Sequence, residues 1–480
     1  MSDDSKGMTA KKAENFSEWY TQVITRSGFI DYTEVSGCIA FRPSAYYVWE
    51  SVVRFVDDEF KKDGVENVSF PMFIPERLLL KEEEHFAGFK AEVAWVTEAG
   101  GSKLGERLAV RPTSETIIYP SFSKWIRSWR DLPMRYNLWN SVVRWEFKNP
   151  TPFIRNREFL WNEGHSVFAT ENEAEKEKDF VLKTYQKVLK EKLALAGIAG
   201  KKTDREKFAG ALASFSIEML MPDGWALQGP DFHLDGQNFA KAFDIKFLGR
   251  EGKTEYAWQN TYAISTRMLG VVVAIHGDDN GLVLPPEVAN IQVVIIPIFN
   301  NDTKDRVMKF ALEFYKSVRR SFRTKIDDDD GFSAGYKFNE WELKGVPIRV
   351  EIGPRDTEKN SVVLVRRDTR EKVPVEVATA KKRIAEMMAD MQSSMYDKAL
   401  KFLVDNIHEV SDYGEFKKLL KTQGGFMHAA WCGDAACEDK VKEETGAKIT
   451  NMPFEHCKLH EKCIYCGKKA KCMANFARSY

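Results

Sequence analysis

The sequence has 480 residues, of which 43% are hydrophobic, 12% aromatic and 30% charged. That is enough chain for roughly three ordinary domains, and the composition excludes a disordered polypeptide. Lys plus Arg (71) equals Asp plus Glu (71), which excludes a global basic field, so a nucleic-acid partner would have to be held by local basic patches.

The first twelve residues are polar, and no signal peptide is expected there. In chain order, residues 13–35 are expected to form a helix with a leading strand-like segment. Residues 46–62 repeat Val48, Val52, Phe55, Val56 and Phe60 at helical spacing. Residues 65–74 read as a buried strand interrupted by Pro71 and Pro75. Residues 142–147 and 159–167 read as an antiparallel pair around a polar loop, 148–156, and 171–196 as a charged amphipathic helix. Strands are expected at 242–248 and 255–261. The apolar stretches 270–275 and 293–299 are too short to cross a bilayer and read as buried strands. Pro285-Pro286 marks a boundary. Beyond it come a strand at 293–297, a helix at 304–321, a solvated acidic loop at 327–330, strands at 346–352 and 361–366, and one or two helices within 374–407. This alternation predicts an α/β module. From about residue 408 the composition shifts to lysine, cysteine and glycine. Six of the seven cysteines lie after residue 430, which suits metal binding better than a disulfide framework. Cys432-x4-Cys437 and Cys463-x2-Cys466 have the spacing of tetrahedral Zn²⁺ ligands, with His456, Cys457, His460 and Cys472 as rivals.

Three polar constellations carry the chemistry. Arg144-Trp145-Glu146-Phe147 precedes Arg155-Asn156-Arg157-Glu158-Phe159-Leu160-Trp161. Strand alternation would set Arg144 and Glu146 on one face, and an arginine fork matches phosphate or carboxylate. The same pattern also fits a surface ladder of ion pairs. Gln259-Asn260-Thr261-Tyr262-Ala263-Ile264-Ser265-Thr266-Arg267-Met268-Leu269-Gly270 sets one arginine beside small hydroxyl residues, where it could equally cap a helix. Arg111-Pro112-Thr113-Ser114-Glu115-Thr116 fits a helix start, with Thr113 as N-cap and Glu115 complementing the dipole.

Taken together, these segments resemble the class II aminoacyl-tRNA synthetases. Residues 65–75 are similar to the dimer motif of that class, 144–168 to its second motif and 263–270 to its third. Neither class I signature occurs. The motifs Phe159-Leu160-Trp161-Asn162-Glu163-Gly164-His165, Lys207-Phe208-Ala209-Gly210, Gly236-Gln237-Asn238-Phe239, His276-Gly277-Asp278 and Gly281-Leu282-Val283-Leu284-Pro285-Pro286 narrow the resemblance. They are similar to prolyl-tRNA synthetases of the archaeal and eukaryotic type, from about residue 14 to the C-terminus. Many relatives carry Thr-Ser ahead of the histidine of Gln228–His233, where this chain has Asp231 and Phe232.

The resemblance implies an α+β chain: a class II antiparallel sheet with flanking helices (1–285), an α/β anticodon-binding domain (286–400) and a small zinc-binding α/β domain (401–480). It implies activation of L-proline with ATP and Mg²⁺, followed by transfer to the 3′ end of tRNA(Pro). Arg144 and Arg267 would be catalytic. Arg144 would bridge the proline carboxylate and the α-phosphate, Arg155 and Arg267 would hold the outer phosphates, and Phe159 with Arg267 would enclose the adenine. Gln228, Asp231 and Ser265 belong to the nucleotide side, and Glu146 to the nucleotide or the tRNA end. Thr113 and Glu115 would accept from the substrate ammonium, and Trp161, Phe208 and His233, with Ser265, would surround proline. Arg349, Glu351 and Arg355 are implied anticodon contacts, with Arg366 and Arg367 as further forks. Cys432, Cys437, Cys463 and Cys466 are implied ligands of a structural Zn²⁺, and Tyr480 is expected to fold back on the active site. A cytoplasmic homodimer without membrane association is expected, and no editing domain fits between residues 168 and 263. Dual proline and cysteine specificity, or a non-catalytic tRNA-binding paralogue, are the alternatives.

Overall fold

The computed structural model describes residues 7–85, 92–146, 148–454 and 459–480, with the backbone alone for 81–85. Its centre is an eleven-stranded sheet. The strand order is Ile407–Glu409, Phe426–Trp431, Cys472–Ala477, Lys448–Pro453, Ile198–Lys201, Ala213–Leu220, Ala226–Gly236, Trp258–Ser265, Glu158–Phe168, Met134–Val143 and Glu66–Asn67. Only the two outermost pairings are parallel. The six strands from Ile198–Lys201 to Met134–Val143 hold the catalytic-type core, and the first four belong to the C-terminal region.

The two regions meet where Met452 pairs with Lys201 and Pro453 with Gly200. Phe454 N donates to Ala199 O (3.2 Å) and Asn451 Nδ2 to Ile198 O (2.8 Å). A Cβ at Gly200 would stand 2.4 Å from Met452 O, so only glycine admits this close approach.

Helices Pro43–Lys62, Glu171–Lys187 and Arg267–His276 pack their apolar residues against the catalytic sheet. Thr170 caps the second with a reciprocal Glu173 contact. Several expectations fail for identifiable reasons. The strand near the N-terminus, Ile30–Tyr32, follows helix Phe16–Arg26 and does not lead it, because Gly28, at φ +70°, reverses the chain. The expected strand at 65–74 reduces to Glu66–Asn67 and Phe73–Pro75, since Pro71 lacks the ladder N–H, and Met72 and Phe73 are exposed. Residues 270–275 lie in helix Arg267–His276 and are not a strand. That helix is buried on all sides, so no polar face betrays its period. Residues 242–248 contribute only the strand Lys246–Leu248, and Glu171–Lys187 stops short of 196, giving way to a π-helical turn.

The next region has a five-stranded sheet in the order Thr324–Ile326, Val293–Pro297, Ile348–Ile352, Ser361–Arg366 and Lys372–Glu376. Val293 and Ile295 face helices Lys304–Val318 and Val377–Asp405, while Val294 and Ile296 face Trp341 of helix Ala334–Leu343. The 29-residue helix Val377–Asp405 runs without a break into the C-terminal region. Asp327 is not a solvated loop residue: it accepts from Trp341 Nε1 (2.6 Å) and pairs with Lys337 (3.2 Å). Arg366 and Arg367 are likewise spent inside the protein. Arg367 forks onto Asp278 at 2.7 and 2.8 Å, joining this region to the catalytic core, and Arg366 pairs with Asp368 and Asp390. They are not free forks for bases. Among the described residues, no helix is long and apolar enough to cross a membrane.

Gly200→Ala should cost about 1–3 kcal/mol, because the colliding atom is backbone and cannot swing aside. Urea unfolding should show an earlier midpoint, and an unshifted midpoint would mean that the two strands have slack.

Candidate active site

A cavity of about 260 Å³ opens on the catalytic sheet and collects side chains from seven chain segments. It brings together Thr113, Glu115, Arg144, Trp161, Phe208, Gln228, Asp231 and His233 from the sequence-based set. It also contains Glu163, Lys202, Glu206, Ser214 and Thr261, which that set missed. Strand alternation explains much of the convergence: Trp161 and Glu163 share one face of Glu158–Phe168, as Asp231 and His233 do on Ala226–Gly236.

One end is acidic. Thr113 is not a helix N-cap: Ser114 takes that position, without a side-chain capping bond, and Glu115 begins helix Glu115–Trp125. The Thr113 hydroxyl contacts Glu115 and lies 2.8 Å from Glu163 Oε1, which also accepts from Ser114 N at 2.6 Å. His165 Nε2 stands 3.4 Å from the same oxygen. Burial alone would raise Glu163, but His165 and Ser114 overcome it and hold the carboxyl well below its usual range. Glu115 goes the other way: burial and the Glu163 charge push it up. Burial, with Glu115 nearby, also drives Asp235 well up behind the pocket.

Two rings and a histidine form the walls. Phe208 stacks on His233 with centroids 4.7 Å apart, and His233 Nδ1 lies 2.8 Å from Ser214 Oγ. Burial lowers the His233 pKa and so favours the neutral imidazole. Trp161 Nε1 donates to Asn140 Oδ1 at 2.7 Å, which fixes the indole.

The opposite end is basic. The strand leading to Arg144 ends at Val143, so Arg144, Trp145 and Glu146 do not alternate on a strand face as expected, and Phe147 lies outside the described residues. Arg144 Nε instead donates to Pro112 O (3.0 Å), and its guanidinium lies over Phe159 (5.5 Å) and Trp161 (5.1 Å). Arg267 donates to Ile154 O (3.2 Å) and Gln228 O (3.1 Å), and its N–H faces Ser265 Oγ (3.3 Å). Burial, then Arg144 and more weakly Arg155, lower the Arg267 pKa, the signature of cations gathered in one place. Gln228 Nε2 donates to Asp231 Oδ2 at 2.8 Å. Glu146 is exposed, and neither it nor Ser265, Arg155, Phe159 or Arg267 lines the cavity itself.

The remaining predicted residues lie elsewhere. Tyr480 N donates to Ala226 O (3.1 Å), its ring packs on Trp225 (5.6 Å) and its hydroxyl reaches Asp223, so the tail lies at the head of strand Ala226–Gly236 and outside the cavity lining. Arg349 donates to Glu351 at 2.9 Å, and Arg355 is exposed. The sulfurs of Cys432, Cys437, Cys463 and Cys466 all lie within 4.8 Å of one another, with 3.6 Å between Cys432 and Cys437 and 3.7 Å between Cys432 and Cys466. Zn–S bonds of about 2.3 Å in a tetrahedron require S···S separations of about 3.8 Å, so the four thiols fit zinc. Of the rivals, His456 and Cys457 lie outside the described residues, His460 pairs with Glu409 (2.7 Å) and Cys472 contacts Met452 (3.5 Å).

Glu163 should govern acid stability. Its folded pKa lies below the unfolded value, so its contribution is complete above about pH 4.5 and fades as pH falls through the depressed value. Glu163→Gln should lose roughly 2–3 kcal/mol at pH 7, the worth of hydrogen bonds to a charged acceptor. Urea midpoints should show this deficit shrinking at pH 3, and a pH-independent deficit would contradict the assignment.

Comparison with known proteins accords with this geometry. Residues 89–276 match the tRNA synthetase class II core domain (G, H, P, S and T), 292–387 the anticodon binding domain and 413–480 the prolyl-tRNA synthetase C-terminal family. The chain is 47% identical over 470 residues to a proline--tRNA ligase 2 of Bacillus cereus, covering 98% of each chain. It is 45% identical over 467 residues to a proline--tRNA ligase of Clostridium botulinum, covering 97% of each. A solved prolyl-tRNA synthetase from Cryptosporidium parvum, complexed with halofuginone and AMPPNP, superposes with a TM-score of 0.94 at 41% identity, over 99% of this chain and 100% of that one. With an acidic subsite facing an arginine cluster on a class II sheet, and near-full-length identity to proline--tRNA ligases, the chain belongs to the class II prolyl-tRNA synthetases.

Proposed function

We propose that the cavity is where proline is activated, with the amino acid at the Thr113–Glu115 end and ATP at the arginine end. The observation that carries this reading is the position of Arg144, which lines the cavity with Thr113 and Glu115 while its charge reaches Arg267. Proline's secondary ammonium meets the Thr113 hydroxyl and the Glu115 carboxylate, and its ring rests among Trp161, Phe208 and His233. Its carboxylate oxygen attacks the α-phosphorus of ATP and pyrophosphate leaves. No protein nucleophile is needed: alignment and preorganised charge lower the barrier. Arg144 bridges carboxylate and α-phosphate, Arg155 and Arg267 hold the outer phosphates, and Phe159 with Arg267 encloses the adenine. Gln228 and Asp231, joined to each other, and Ser265 complete the nucleotide side. Mg²⁺ brought with ATP would share the phosphate charge. Glu146, exposed beyond the strand end, serves the nucleotide or the tRNA acceptor end. The tRNA 3′ hydroxyl then takes the prolyl group from the adenylate.

On this reading the chain is a cytoplasmic homodimer of the archaeal and eukaryotic type. The stretch between Phe168 and Trp258 is taken up by helix Glu171–Lys187 and strands of the catalytic sheet, with no room for a large inserted domain, which supports the type, and exposed Met72, Phe73 and Trp95 at the dimer-like motif support self-association. Arg349, Glu351 and Arg355 read the anticodon of tRNA(Pro). Zn²⁺ on the four cysteines is structural, because four thiolates leave no open position for chemistry. Tyr480 steadies the strand that leads to Gln228.

ATP–pyrophosphate exchange tests the assignment. Exchange should require proline, and Arg144→Ala should slow it by about two to three powers of ten. Exchange that is unchanged in this variant would reject the role given to Arg144.

A further inference from the structure

The C-terminal module reaches the pocket wall at Phe215, whose ring packs on Phe454 (5.8 Å), and at one short loop. After strand Ile198–Lys201 the chain turns through residues 203–207 and delivers Phe208 to the cavity, where Phe208 N donates to Ser214 Oγ at 2.9 Å. The turn is closed by Glu206 N (3.2 Å) and Lys207 N (2.9 Å), both donating to Thr203 O. Each of the turn's anchor side chains has its partner in the C-terminal module. Thr203 Oγ1 donates to Glu438 Oε1 at 2.9 Å, with both residues buried. Arg205 pairs with Asp439 at 2.6 Å, and Glu206, itself part of the cavity wall, pairs with Lys448 at 2.5 Å.

The three module residues are placed by the cysteine cluster and the shared sheet. Glu438 and Asp439 follow Cys437 directly on helix Ala435–Thr445, and Lys448 begins the strand that pairs with Ile198–Lys201. We propose that Glu438, Asp439 and Lys448 are positioning residues for amino-acid binding, which hold the 203–207 turn so that Phe208 and Glu206 close the proline end of the cavity. The C-terminal module thereby acts on substrate affinity and not only on stability. The inference rests on the assignment of Phe208 to the proline subsite.

The three ties differ in strength. The Thr203–Glu438 bond is buried and accepted by a carboxylate, whereas the Arg205–Asp439 pair is about half exposed and screened by solvent. Loss of the first should dominate. The turn delivers Phe208 onto His233, among the residues assigned to proline, so the effect should fall on proline and spare ATP.

Pyrophosphate exchange, titrated separately in proline and in ATP, tests the proposal on the full-length protein. Thr203→Val keeps the side-chain shape and removes only the donor. It should raise the proline KM about tenfold and leave the ATP KM within about twofold, with zinc content as in the wild type and a thermal midpoint lowered by the loss of one buried bond. Glu438→Ala should do the same, and both variants should be cut faster by trypsin after Arg205 and Lys207, with saturating proline restoring resistance. Arg205→Glu should weaken proline binding about two- to threefold, and adding Asp439→Arg should restore it. If Phe208→Ala raises the proline KM while Thr203→Val and Glu438→Ala do not, the clamp is wrong and the subsite assignment stands. If Phe208→Ala leaves the proline KM unchanged, the subsite assignment fails and the clamp with it. Proline and ATP constants that rise together would reduce the contacts to general stability.

Discussion

The pairing of Lys448–Pro453 with Ile198–Lys201 makes one sheet of what would otherwise be two. Backbone hydrogen bonding between the two strands fixes their spacing and twist, and Gly200 lets them close to a distance that no larger residue permits. Apart from Thr113 and Glu115, which follow strand Ser102–Val110 of a separate three-stranded sheet, the pocket residues hang from this sheet or from the turns at its strand ends. Ser214, Asp231, His233, Thr261, Trp161 and Glu163 rise from its face, and Phe208 and Arg144 follow directly from its edges. The cysteine cluster lies at the far end of the same sheet, so zinc bound there would share one frame with the pocket.

On that frame the charges are sorted. Glu163 is kept ionised by the Ser114 amide and His165, and this fixed negative charge raises its neighbour Glu115. A cationic ammonium entering beside them relieves the repulsion, so the site favours a positively charged group at this end. At the other end the Arg144 charge, and more weakly that of Arg155, opposes the charge of Arg267. On the proposed reading, a zwitterion and a polyphosphate would relieve this like charge at both ends.

Much of this was legible in the sequence, and what was not has physical reasons. The arginines and the Thr113–Glu115 pair could be named because motif spacing survives whatever structure the chain adopts. Their geometry could not. Arg144 leaves the strand where Val143 ends, and nothing in the alternation signals that Pro112 O will catch its guanidinium. Residues 270–275 read as a strand because a helix buried all round, Arg267–His276, shows no period. Glu163 lies inside a motif whose residues Trp161, Glu163 and His165 alternate onto one face. A carboxylate in that row, between an indole and an imidazole, was the available clue. Arg367 reads as a free fork because its partner, Asp278, is remote in sequence, whereas Arg366 has Asp368 two residues on as well as the more distant Asp390. The continuity of the sheet was invisible for the same reason: Pro453 and Gly200 are brought together only by the fold.

Native-state hydrogen exchange tests the shared frame most directly. If the sheet is one cooperative unit, the amides of Lys448–Pro453 and Ile198–Lys201 should open with free energies within about 1 kcal/mol of each other, and close to that of Ala213–Leu220. A strand Lys448–Pro453 that opens several kcal/mol more easily than Ala213–Leu220 would show that the C-terminal module is merely docked, and would contradict the account.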